Sequence, residues 1–315
     1  MSTNHTYLIS AKQSKEDEFY TQLTDIEKEL VHYDSAFHGK TVLCNCNDSE
    51  KSNFCKYFHL NFSKLGLRKL VATIYNPGQT GCKLEYTGGN DEDPSTWIKT
   101  HLQQDGDFRS PECIELLREA DVVVTNPPFS LFREYMAQLV NNEKRFIILG
   151  NQNAITYKEI FPLLKGNRVW LGFKSGNMGF RVPDYYEPRK TRFWIDETGQ
   201  KWRSLGNICW FTNIDHTKRH QPLPLFRRYI DNPSAYPLYD NCEAINVDKV
   251  ADIPCDYSGL IGVPITFLDK YDPDQFTIER FRHGDNGKDL AYSIIDASGQ
   301  MRKVTPYFRI LIRRR

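Results

Sequence analysis

Along the first 173 residues the apolar positions switch repeatedly between helical and strand periodicity. In "KEDEFYTQLTDIEKELVHY" the residues Phe19, Leu23, Ile26, Leu30 and Tyr33 recur at helical spacing, which predicts a helix with an extended start. "GKTVLCNCND", from Gly39 to Asp48, reads as a strand. "KSNFCKYFHLNFSKLG" returns to helical spacing and stops at Gly66. "LRKLVATIYN" is a second strand, ended by Asn76, Pro77 and Gly78. Residues 79–112 are polar and read as an exposed excursion. "CIELLREA" (helix), "DVVVTN" (strand), "LFREYMAQLVNNEK" (helix), "RFIILGNQ" (strand), "TYKEIFPLLKG" (helix) and "RVWLGF" (strand) follow in turn. Strand alternating with helix predicts an α/β fold built on a twisted, mostly parallel sheet. From Lys174 onward short aromatic-rich segments separated by Gly, Pro, Asn and Asp predict antiparallel β and loop structure, appended to the sheet or folded back on it.

One junction stands out chemically. The β-branched run Val122, Val123, Val124, Thr125 suits a strand buried on both faces, and Asn126-Pro127-Pro128-Phe129 stops it. Paired prolines make a stiff turn that donates no backbone hydrogen bonds and keeps its carbonyls available. In open parallel sheets ligands bind at the carboxyl ends of the strands, which is where this turn falls.

Bulk properties narrow the picture only slightly. A chain of 315 residues with 40% hydrophobic and 26% charged residues has room for one large domain or two. A net charge of +1 excludes attraction to nucleic acid by overall charge, although a mild basic excess beyond residue 200 allows a local basic face. The eight cysteines include no Cys-x-x-Cys pair and are read as free thiols in a reducing compartment, with no metal site. No run is long and apolar enough to span a membrane, and the polar start lacks a signal-peptide core, so a cytoplasmic location is expected.

"TNPPF" after a hydrophobic strand resembles the catalytic motif of amino-methylating methyltransferases. "DEFYTQLTDIEKEL", "VLCNCNDSEKSNFCKYF", "NPPFSLFREYMAQL", "GNQNAITYKEIFPLLK", "FRVPDYYEPR" and "GVPITFLDKY", in that order, resemble the EcoRI-type adenine-specific DNA methyltransferases over nearly the whole chain. The resemblance implies a Rossmann-like class I methyltransferase fold, S-adenosyl-L-methionine as cofactor and double-stranded DNA as partner. It also implies methyl transfer to the N6 amine of a flipped-out adenine in a short site, GAATTC being the leading candidate, as in the modification half of a restriction system.

The chemistry suits the residues. The exocyclic amine of adenine is a poor nucleophile because its lone pair is delocalised into the ring. Asn126 and the carbonyl of Pro127 are placed to accept hydrogen bonds from that amine, held there by Pro128, while Phe129 offers a stacking face. A base in a duplex must be extruded to reach such a turn, so a second aromatic wall is expected, and Phe180 in "GNMGFRVP" resembles it.

The first-strand turn departs from the usual methyltransferase pattern, since "LCNCNDSEKSNF" contains no glycine. By position Asn45, Cys46 and Asn47 line the cofactor, and Asp48 or Asn53 meets its amino or carboxylate group. Tyr75 stands where a ribose-binding acid is usual. Asp107 resembles the acid that faces the cofactor adenine, and Tyr20 and Thr21 cover its methionine end.

This order of motifs predicts a cofactor-binding catalytic domain over 1–184 and a target-recognition region over 185–315 that either stands alone or folds back on the core. Arg189, Lys190, Arg192, Lys218, Arg219, Arg280 and Arg282 are candidate DNA contacts. The three terminal arginines read as a solvated tail. A monomer is expected, paired in function with a restriction endonuclease but not stably bound to one. Two rival readings are a methyltransferase acting on protein glutamine or RNA, and an inactive DNA-binding relative.

Overall fold

The computed structural model describes residues 19–46, 52–295 and 298–315, with the backbone alone at Cys46. The chain divides into two compact units, one built from residues up to 154 together with 171–215, the other from 155–170 together with 216–315. The boundary expected after residue 184 therefore falls inside the first unit. No helix among the described residues is long and apolar enough to cross a membrane.

In the first unit, β1 (Thr41–Cys46), β2 (Lys69–Ile74), β5 (Val122–Thr125) and β6 (Arg145–Asn151) form a parallel centre in the order β2-β1-β5-β6. β3 (Cys82–Tyr86) and β4 (Ile98–His101) extend one side antiparallel. On the other side β9 (Lys201–Thr212) lies antiparallel to β6, followed by β7 (Trp170–Arg181), with β8 (Phe193–Ile195) paired to β9. The sheet is thus mixed rather than mostly parallel, because the polar excursion and the aromatic-rich segments add antiparallel strands to both flanks. The excursion was misread because its outermost strand is exposed at every position and carries no alternation.

Alternate residues decide which face each strand buries. Val42, Cys44, Leu70, Ala72, Val122, Val124, Ile147, Leu149, Ile208 and Trp210 share one core with α1 (Leu23–Leu30) and α2 (Asn53–Leu60). Val123, Phe146, Ile148 and Phe211 are equally buried on the opposite face, where Phe132 of α5 (Phe132–Asn141) meets Phe211 at 5.0 Å. Helices on both faces explain the continuous apolar runs, and each such side chain contributes about 1.5–3 kcal/mol by leaving water. α3 (Phe62–Leu65) ends on Gly66 at φ 62, a left-handed cap that glycine adopts without strain. α4 (Pro111–Glu119) starts on Ser110, whose hydroxyl accepts from Cys113 N–H at 3.3 Å.

Glu29 on α1 is completely buried. Its carboxylate accepts from the backbone N–H groups of Phe173 and Lys174, both at 2.7 Å, and from the Tyr33 hydroxyl at 2.7 Å. These bonds fasten the helix to β7, and Gly172 permits the approach, since a Cβ there would lie 2.3 Å from the carboxylate.

The second unit holds the short α6 (Phe161–Lys165) and a four-stranded sheet in the order β10-β11-β15-β12, formed by Ala244–Asn246, Leu260–Pro264, Arg309–Arg314 and Phe276–Phe281. The arginines read as a solvated tail lie in or beside β15. That strand pairs with β11 on one side and β12 on the other, and Arg315 N–H still donates to Gln275. Ile310, Leu311 and Ile312 bury this strand despite its charged end. A separate two-stranded ribbon is made of β13 (Tyr292–Ile295) and β14 (Met301–Val304).

Candidate active site

The strand order reverses between β1 and β5, so a crevice is expected at their carboxyl ends. The two ends are tied together there. The Thr125 hydroxyl donates to the Asn45 carbonyl at 2.5 Å, and the Asn45 side chain spans from Thr73 (3.0 Å) to the Tyr135 hydroxyl (2.6 Å). Asn45 stands at the carboxyl end of β1, with its amide engaged in holding β1, β2 and α5 together.

Immediately beyond Thr125, Asn126 presents an unusual pairing. Its Nδ2 donates to the carbonyl of Phe19 at 2.8 Å, while its Oδ1 is buried and has no hydrogen-bond partner. The tether fixes which end of the amide is left over, and that end is an acceptor. A buried polar atom without a partner is costly, so this oxygen has capacity to accept a hydrogen bond from a ligand group. Pro128's carbonyl accepts from Leu131 N–H at 3.0 Å within a 3₁₀ turn over Phe129–Leu131, which leaves Pro127 as the proline carbonyl suited to a ligand.

Phe129 and Phe180 each meet Phe19. Phe19 stacks on Phe129 at 5.7 Å and 24°, and meets Phe180 edge-on at 5.6 Å and Tyr186 at 6.1 Å. Phe180 is fully buried and offers no free face in this arrangement. Phe19 belongs to the segment expected to be an extended start to the first helix, but no role in the site was assigned to its ring or carbonyl. The helix begins at Leu23, and the extended residues before it enter the site.

The same segment carries Tyr20 and Thr21. Tyr20 pairs with Arg181 through two backbone hydrogen bonds of 2.9 and 3.2 Å. Asn53 Nδ2 donates to the Thr21 carbonyl at 2.7 Å, so Asn53 holds the segment with its amide. The Thr21 hydroxyl oxygen is buried without a partner, the second such atom at this locus. Asn47 and Asp48 lie outside the described residues, as does the Cys46 side chain.

At the end of β2, Tyr75 and Asp107 form an electrostatic group. Burial pushes the Tyr75 hydroxyl up, and the charges of Asp105 and Asp107 raise it further. Burial alone would raise the Asp107 carboxyl, but Arg109, donating from Nε (2.8 Å), Nη2 (2.6 Å) and its backbone N–H (2.8 Å), holds it below the usual carboxylate range. Asp107 is therefore ionised and oriented. Arg109 was not among the expected site residues, because a single arginine two residues from an acid is common on exposed loops and carries no motif.

The DNA-contact candidates separate into two sets. Arg189, Lys190 and Arg192 are exposed in the first unit, Arg189 lying 5.9 Å over the Tyr186 ring. The four in the second unit are engaged. Lys218 pairs with Asp269 at 2.8 Å, Arg280 with Asp285 at 2.8 Å, and Arg282 binds both oxygens of Asp289 while stacking 4.5 Å from Phe308. Arg219 is buried against Trp170 at 3.7 Å, with Asn167 accepting from it at 2.5 Å, so it serves packing and cannot reach a phosphate without leaving its place.

Comparison with known proteins agrees with this geometry. The family model described as adenine-specific methyltransferase EcoRI matches residues 7–315. The chain is 47% identical to the type II methyltransferase M.EcoRI of Escherichia coli, covering 97% of this chain and 95% of that protein. It is 40% identical to the type II methyltransferase M.MpnI of Mycoplasma pneumoniae over 86% and 84% of the two chains, and 39% identical to M.MgeORF184P of Mycoplasma genitalium over 85% and 84%. With its Rossmann-like class I fold and its Asn-Pro-Pro-Phe turn at the switch point, the chain belongs to the EcoRI-type adenine-specific methyltransferase family.

Proposed function

We propose that this adenine-specific methyltransferase modifies the N6 amine of an adenine flipped out of a short site in double-stranded DNA. The observation that carries the reading is the buried, unpartnered Oδ1 of Asn126, aimed by the bond from Nδ2 to the Phe19 carbonyl. Asn126 Oδ1 and the Pro127 carbonyl accept the two amine protons, which draws the nitrogen lone pair out of the ring plane. No covalent enzyme intermediate is required; rate comes from orientation and from acceptors already in place.

S-Adenosyl-L-methionine, when bound, supplies an electrophilic methyl group. The residues present fit its methionine end, because the Thr21 hydroxyl is buried and lacks a partner beside the segment that Asn53 holds. Asp107, kept ionised by Arg109, suits the exocyclic amine of the cofactor's adenine.

Phe19 covers the face of Phe129 on which the target base stacks. Rotation about its Cα–Cβ bond moves the ring aside and leaves its carbonyl on Asn126, so base capture and orientation of the acceptor are compatible. The enzyme works as a monomer in the cytoplasm, without a stable complex with an endonuclease; sedimentation of the DNA complex at two masses checks the stoichiometry.

The deciding experiment incubates the protein with tritiated S-adenosylmethionine and genomic DNA of mixed sequence, then separates the nucleosides. Label in 6-methyladenine is expected, and sequencing the product tests GAATTC as the site. Label absent from DNA but present on protein or RNA overturns the DNA assignment, and failure to bind cofactor supports an inactive DNA-binding relative.

A further inference from the structure

Lys218, Arg219, Arg280 and Arg282, the candidate DNA contacts of the second unit, are already engaged within it, which turns attention to the β13–β14 ribbon. The ribbon's register pairs Tyr292 with Val304, Ser293 with Lys303, Ile294 with Arg302 and Ile295 with Met301. Its root is anchored. Tyr292 and Val304 pack into the cluster of Tyr239, Leu290 and Leu311, and Asp240 accepts from Ser293 Oγ at 2.9 Å and from its backbone N–H at 3.2 Å. Its outer part stands free: Ile295 is 75% and Met301 79% exposed, and the exposed side chains of Arg302 and Lys303 make no ion pair or hydrogen bond among the described residues.

We infer that this ribbon is a DNA-reading element that enters the major groove. The inference rests on the reading of the protein as a DNA methyltransferase. A two-stranded antiparallel ribbon fits a groove about 12 Å wide, and four residue pairs give it a length of about 13 Å. Directly opposed residues share a face and neighbours alternate, so Lys303 and Arg302 project from opposite faces toward the two phosphate walls. Ile295 and Met301 share the face of Lys303 and present two exposed apolar side chains where thymine methyl groups line the groove. Two large apolar residues at the outer end of a ribbon, flanked by unpaired cations, match a partner that is anionic at its rim and offers methyl groups on its floor.

The test uses a duplex carrying the site mapped from the methylated product, and a second duplex with uracil in place of thymine. Arg302→Ala combined with Lys303→Ala should weaken binding about tenfold or more near physiological salt and lower the slope of log affinity against log salt by about 1.8, the value for two phosphate contacts. Cofactor binding should be unchanged, since neither residue is buried. Wild type should lose affinity severalfold on the uracil duplex, whereas Ile295→Ser combined with Met301→Ser should bind both duplexes alike. Unchanged affinity and salt slope in the first variant, or equal thymine sensitivity in wild type and the second, overturns the inference. If wild type neither binds nor methylates any duplex, the DNA reading itself fails and the ribbon assignment falls with it.

Discussion

At the carboxyl end of β5 the first unit keeps two buried oxygens, Asn126 Oδ1 and Thr21 Oγ1, without hydrogen bonds. In the second unit several cations are closed in pairs: Lys218 with Asp269, Arg280 with Asp285, Arg282 with Asp289, and the buried Arg309 with Asp248 at 2.8 Å. In the first unit these two oxygens lie inside, where geometry would admit one small group. In the second the ribbon's Arg302 and Lys303 stand outside, where they would meet an extended charged surface. A reacting centre and a gripping surface thus differ in where satisfied bonding stops.

Substitutions can break this contrast, and the largest effect is expected at Asn126. Asn126→Ala removes the aimed acceptor and should lower the single-turnover methyl-transfer rate about 10²- to 10³-fold, by analogy with loss of one preorganised hydrogen-bonding group. DNA and cofactor affinities should change little; a loss of binding with an unslowed chemical step would assign Asn126 to substrate capture instead.

Glu29→Ala should come next, acting on the frame rather than on the chemistry. Two backbone N–H groups on β7 would lose their buried acceptor, at a cost of about 2–4 kcal/mol in urea unfolding. A variant of wild-type stability would mean that the strand finds other partners.

Phe129→Ala should cost about 1–3 kcal/mol of base capture, seen as altered fluorescence of 2-aminopurine at the target position. Unchanged fluorescence would place the stacking face on Tyr186 or Phe180.

Arg282→Ala sharpens the other half of the comparison. Because its guanidinium is already engaged by Asp289 and Phe308, DNA affinity should move by no more than about twofold, in contrast to the ribbon cations.

The smallest effect concerns acid. Asp107 titrates below its ordinary value when folded, so its contribution to stability is complete above the usual carboxylate range and fades as pH falls through the depressed value. Asp107→Asn should flatten that part of the stability profile, read by thermal unfolding between pH 2 and 5. Identical profiles would show that the Arg109 contact does not persist in solution.

What sequence reveals follows the distance over which each feature is specified. The β5 strand and its proline turn are local, and they stand where the residues place them. The tether from Asn126 to Phe19 spans 107 positions and has no local signature, so nothing near Phe19 marks its role in the site. Partners of the basic residues are equally remote; Lys218 and Asp269 are 51 positions apart, and nothing near Lys218 foretells the pair. β4 is exposed throughout and lacks the apolar pattern that marks a strand, and β15 has only the short apolar run Ile310 to Ile312 before its arginines, so the pairing with neighbouring strands decides how far each extends.

The bond between the Asn126 amide and the Phe19 carbonyl also limits how this lineage can drift. An aspartate at position 126 would place a carboxylate oxygen against that carbonyl, two acceptors facing each other with no proton between them. Exchanging the amide for the acid therefore requires a simultaneous change in the backbone of the N-terminal segment. A turn crossed in this way is held to asparagine by the segment that crosses it.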